Sequence, residues 1–134
     1  MVDCMSYSLS KRSEHNMQGI NPALVQLARR AIKISKVDFG IPTTGGKRTP
    51  EKQHELFMTV NKQKGPDGYD VIGKHQEGEA LDYYAYVEGK ASYEKEHLAQ
   101  VAAAFLQCAI DMNVRIHWGG LFKSWFDGPH VELV

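Results

Sequence analysis

The stretch Gly73-Lys74-His75-Gln76-Glu77-Gly78-Glu79-Ala80-Leu81-Asp82 carries an imidazole and a carboxylate on either side of a glycine. A second stretch, Trp118-Gly119-Gly120-Leu121-Phe122-Lys123-Ser124-Trp125-Phe126-Asp127-Gly128-Pro129-His130-Val131-Glu132-Leu133, adds His130 with Asp127 just before it. Two imidazoles and one carboxylate are good zinc donors, and three protein ligands leave a position for water, the mark of a catalytic rather than a structural site. Gly78 lets the chain fold back so that His75 and Asp82 can face one point, and His130 has to arrive from a neighbouring strand. The donor set points to hydrolysis.

Around these stretches the periodicity predicts an α+β domain. Asn21-Pro22 opens a helix as N-cap and first-turn proline, with Leu24, Leu27, Ala28, Ala31 and Ile32 on one face. Asp38 to Thr44 reads as a short strand running into the Gly45-Gly46 turn. Thr49-Pro50 opens a second helix whose apolar face is Leu56, Phe57 and Val60, and residues 64–73 form a glycine-rich loop. Ala80 to Val87 suits one strand that would hold Asp82 rigidly. A long buried helix runs from Ser92-Tyr93-Glu94-Lys95 through Met112, and Val114 to Trp118 and His130 to Leu133 alternate as strands. Strands and helices without a regular βαβ rhythm imply an antiparallel sheet with helices packed against it. Residues 1–134 are read as one domain, with 1–20 as an N-terminal extension.

Composition narrows the function classes. The 134 residues, 43% hydrophobic and 24% charged, suffice for one globular core, and a formal net charge of zero gives no basic field for nucleic acid or anionic lipid. No nucleic-acid partner and no stable membrane association are expected. Cys4 and Cys108 are too few for a disulfide scaffold. Residues 1–20 mix charges among small polar residues and lack the apolar segment of a signal peptide.

Both quoted stretches resemble the patterns S-x-H-x-x-G-x-A-x-D and W-G-G…D-x-P-H-x-E-L of the zinc peptidases related to D-Ala-D-Ala carboxypeptidases and the Hedgehog signalling domain. Gly45-Gly46-Lys47-Arg48-Thr49-Pro50-Glu51-Lys52-Gln53 is similar to that family's glycine-rich turn with an arginine and a downstream glutamine. Chain length and the position of His130 look most like the phage endolysins that cleave the L-alanyl-D-glutamate bond of peptidoglycan. The resemblance implies the Hedgehog/D-Ala-D-Ala peptidase-like fold and one Zn2+ held by His75, Asp82 and His130. It implies Asp127 as general acid and base, and Arg48 as the group that holds a polarised carbonyl or a substrate carboxylate. Gln53, His117, Trp118 and Trp125 are the implied substrate contacts. The implied partner is a peptidoglycan stem peptide, met by a monomer that is made in the host cytoplasm and reaches the wall once the membrane is opened.

Two positions depart from the pattern: Gly73 replaces a serine or threonine, and Leu121-Phe122 replaces an acidic-aromatic pair. Each ligand taken alone reads more simply as an ordinary polar residue, as do His15, His54 and His97, and only the joint match gathers three of them. Glu132 shares a strand face with His130 and suits a role behind it. A phosphate loop fails at Gly45-Gly46-Lys47, because Ile41 and Arg48 occupy positions that need glycine and Ser/Thr. The alternatives are a D-Ala-D-Ala carboxypeptidase or dipeptidase, a zinc-binding module without turnover, and a non-haem iron oxygenase. The last is disfavoured by the wide spacing of His75 and Asp82 compared with H-x-D.

Overall fold

The computed structural model describes residues 6–134; Cys4 lies outside them. Four helices, α1 (Lys11–Asn16), α2 (Pro22–Ile34), α3 (Pro50–Met58) and α4 (Lys95–Met112), accompany six short strands: β1 (Asp38–Gly40), β2 (Ala80–Asp82), β3 (Tyr84–Val87), β4 (Lys90–Ser92), β5 (Ile116–Trp118) and β6 (His130–Leu133). The strands form two antiparallel sheets, ordered β1-β3-β4 and β2-β6-β5. The α+β class is as expected, with two small sheets in place of one.

The helix starts follow the local chemistry. The Asn21 side chain accepts the Ala23 N–H ahead of Pro22, and the Thr49 hydroxyl accepts the Lys52 N–H ahead of Pro50, each satisfying a donor that the helix leaves free. α4 ends on Asn113 in the left-handed region at φ 57°. α2 buries Leu24, Leu27, Ala28, Ala31 and Ile32 against Leu98, Val101 and Phe105 of α4, with Phe39, Leu81, Tyr83 and Val131 in the same core. Each fully buried Leu or Phe contributes about 1.5–3 kcal/mol of transfer free energy.

Three expectations are corrected. The segment 80–87 is two strands, because the chain changes sheets at Tyr83. That residue is fully buried, and its hydroxyl lies 2.8 Å from the carbonyl oxygens of both Leu98 and Gly128, to which it donates. The strand from Asp38 stops at Gly40 and passes into a 3-10 turn over Thr43–Gly45. On α3 only Gln53 is buried, Val60 lies beyond the helix and is exposed, Leu56 and Val60 line a cleft rather than the core, and Phe57 stacks on His54.

Within the 1–20 segment, α1 packs into the body of the fold. Ser13 and Met17 are 1% exposed, the Ser13 hydroxyl accepts the Ile41 N–H at 3.0 Å, and the Asn16 amide donates to the Ile41 carbonyl at 2.9 Å. Asn16 also packs so closely on Gly46 that a methyl group there would overlap its carbonyl. α1 therefore braces the turn that faces His75.

Candidate metal centre

Antiparallel pairing of β2 with β6 places Asp82 directly opposite His130. The turn through Gly78, at φ +74°, returns His75 to the same point; an added Cβ would strike the Gly19 carbonyl. One donor atom from each of His75, Asp82 and His130 lies within 4.8 Å of the others. His75 Nε2 is 3.1 Å and His130 Nδ1 is 3.0 Å from the same oxygen, Asp82 Oδ1. On a tetrahedron with bonds of about 2.0 Å, ligand atoms stand about 3.3 Å apart, so the spacing suits one ion.

The outward ring atoms give a second test of fit. His75 Nδ1 is 2.9 Å from the Gly46 carbonyl, which can only accept, so that nitrogen carries the proton. His130 Nε2 is 2.8 Å from Glu132 Oε1, which fixes its proton outward in the same way. In the neutral tautomers, two nitrogen lone pairs and a carboxylate oxygen therefore converge on one point. Three acceptors cannot satisfy one another, and a cation resolves the conflict. Without a metal, a second ring proton must fill the gap. Burial alone would lower the His130 pKa, but Asp82 and Glu132 outweigh it and push it up to about 9. Burial likewise opposes ionisation of Asp82, yet its bonds to His130 and His75 hold its carboxyl well below the usual range.

Arg48 fixes the remaining oxygen of Asp82. Its Nη2 donates to Asp82 Oδ2 at 3.0 Å, its Nη1 to Gln53 Oε1 at 3.1 Å and its Nε to the Thr44 carbonyl at 2.9 Å. Gln53 is in turn tied to the Pro66 carbonyl. Arg48 and Gln53 thus form a brace behind the ligand carboxylate. Asp127 Oδ2 lies 3.8 Å from His130 Nδ1, near the ligands without joining them, and burial together with the neighbouring Asp82 raises its pKa.

These groups open onto a cleft of about 430 Å³ lined also by Leu56, Val60, Lys64, Lys74, Phe122 and Trp125. Trp125 is exposed and lines the cleft. Trp118 does not: its indole N–H donates to the Gly128 carbonyl at 2.7 Å and its ring lies beneath Gly120, so it locks the loop that carries Asp127. His117 sits outside the cleft on the far side of Phe122, with the rings 5.0 Å apart. Sequence reasoning passed over the Gly46 carbonyl, which has no side-chain signature, and Lys74 and Phe122, which only the folded cleft brings beside the ligands.

The sequence matches the family of phage L-alanyl-D-glutamate peptidases over residues 5–134. It is 28% identical over 142 residues to the L-alanyl-D-glutamate peptidase of Escherichia phage T5, covering 97% of this chain and 100% of that protein. The fold superposes on the crystal structure of the Serratia marcescens L-Ala D-Glu endopeptidase ChiX with a TM-score of 0.83 and 31% identity, covering 98% of this chain and 93% of that one. With three donor side chains that could hold a metal ion and an adjacent carboxylate on that fold, this chain belongs to the phage L-alanyl-D-glutamate peptidase family.

Proposed function

We propose that the protein is a zinc-dependent peptidoglycan endopeptidase that hydrolyses the L-Ala-D-Glu bond of stem peptides and so opens the bacterial wall. The observation that carries this reading is the convergence of His75, Asp82 and His130 on one point, with the Asp127 carboxylate 3.8 Å from His130 in an open cleft. Both relatives named above are described as acting on that bond.

A zinc ion held by these ligands would supply Lewis-acid polarisation and a water ionised near neutral pH. Asp127 takes the proton of the attacking water and returns it to the leaving amine, a task suited to a carboxylate whose pKa is raised by burial. Arg48 keeps Asp82 oriented, and the N–H groups it does not use on Asp82, Gln53 and Thr44 serve the oxygen that gains charge. Gln53 holds Arg48, and Trp125 and Phe122 wall the peptide. Synthesis in the host cytoplasm, passage through an opened membrane and action as a monomer complete the proposal; among the described residues no helix is long and apolar enough to cross a membrane.

Hydrolysis of a synthetic L-Ala-D-Glu peptide should cease on chelation and return with zinc. Undiminished hydrolysis in chelator would contradict the reading, and release of D-alanine from a D-Ala-D-Ala peptide instead would favour the carboxypeptidase alternative.

A further inference from the structure

We propose that Lys74 recognises the free carboxylate of the D-glutamyl residue on the leaving side of the cleaved bond; this rests on the peptidase reading above. A glutamyl residue inside a peptide uses one carboxyl to continue the chain and keeps the other. When that group is ionised, bringing it into a partly closed cleft is costly unless a cation meets it. The cleft already holds the carboxylates of Asp82, Asp127 and Glu132, which would repel it.

Among the described residues three permanent side-chain cations line the cleft: Arg48, Lys64 and Lys74. The Arg48 charge is already paired with the Asp82 carboxylate, and its guanidinium is held in place by Gln53 and Thr44. Lys64 is exposed on the loop, where solvent screens its charge. Lys74 differs from both. It is half-buried beside His75, its backbone carbonyl is pinned by the N–H groups of Glu77 and Glu79, and its Nζ donates to the Leu133 carbonyl at 2.5 Å. That partner is neutral and takes one of three ammonium protons, so among the described residues the Lys74 charge is not neutralised by an ion pair. Leu133 ends β6, the strand that begins at His130, so this bond holds the ammonium along the strand that carries that side chain. An anchored ammonium in the lining of the cleft, held by the strand that carries His130, suits a carboxylate beside the leaving amine.

The test uses two synthetic peptides, identical except that the free carboxylate of D-Glu is replaced by its amide in one. The zinc-loaded wild type should favour the acid over the amide by about 10-fold or more in kcat/KM, the scale of a hydrogen bond to a charged group. Lys74→Met should bring that ratio close to one, and Lys74→Arg should retain the preference. Should Lys74→Met not fold, Lys74→Gln keeps a donor for Leu133 and is read in the same way. An unchanged ratio in the neutral variants, or a wild type that cleaves both peptides equally, would overturn the assignment to Lys74. A wild type that cleaves neither would overturn the peptidase reading itself, and this inference with it.

Discussion

Asp82 and His130 are cross-strand partners in the β2–β6 pair, and the same Asp82 oxygen that lies 3.0 Å from His130 Nδ1 lies 3.1 Å from His75 Nε2. One register thus assembles the donor set, and a slip of one residue would turn a ligand to the opposite face.

Asp127 stands beside the ligands but outside the set. Asp127→Ala should leave zinc bound at one ion per chain and lower kcat by about 10²-fold or more. Metal analysis and steady-state kinetics on the same preparation check both halves; near-normal turnover would remove Asp127 from the chemistry.

Glu132 fixes the tautomer of His130 through a 2.8 Å bond. Glu132→Ala, which removes the acceptor, should weaken zinc binding by about 10- to 100-fold, as loss of the outer partners of metal ligands commonly does. Competition with a chromogenic chelator reads this directly, and an unaltered affinity would show that the bond does not orient the ligand.

The legible part of the site is the part made of side chains with distinctive chemistry. His75, Asp82 and His130 stand out only through the joint match of two stretches to a family pattern, and Asp127 through that resemblance alone. The rest depends on tertiary packing. Residues 80–87 alternate as a single strand would, and only the burial of Tyr83 under α4 shows why the chain changes sheets there. Trp118 and Trp125 look alike in sequence, yet one is fastened to Gly128 and the other is exposed in the cleft. The Leu56 and Val60 pattern is amphipathic whether its apolar side meets a core or a substrate.

Tyr83→Phe should destabilise the fold by about 0.5–1.5 kcal/mol, because the buried hydroxyl's bond to the Leu98 and Gly128 carbonyls is lost while the Trp118 N–H still serves Gly128. Denaturant melts of the zinc-loaded protein measure this, and a change below about 0.5 kcal/mol, the range of ordinary surface substitutions, would mean that water replaces the hydroxyl.

In the metal-free protein Asp82 and Glu132 outweigh burial and push the His130 pKa up to about 9, above its ordinary 6.5. A folded pKa raised in this way adds stability that is fully present below 6.5 and is lost as pH rises through about 9. The chelated protein should therefore show a falling Tm across that window. The zinc-loaded protein should not follow it, since a ligating nitrogen carries no proton to lose. A flat Tm for the chelated protein would contradict the assigned pairing of His130 with Asp82 and Glu132.

The most direct measurement is digestion of purified peptidoglycan by zinc-loaded and by chelated protein, with mass spectrometry of the released fragments and their new amino termini. New D-glutamate amino termini that appear only with zinc are the expected result. Fragments cut at another bond, or the same fragments in the presence of chelator, would contradict a metal-dependent L-Ala-D-Glu endopeptidase.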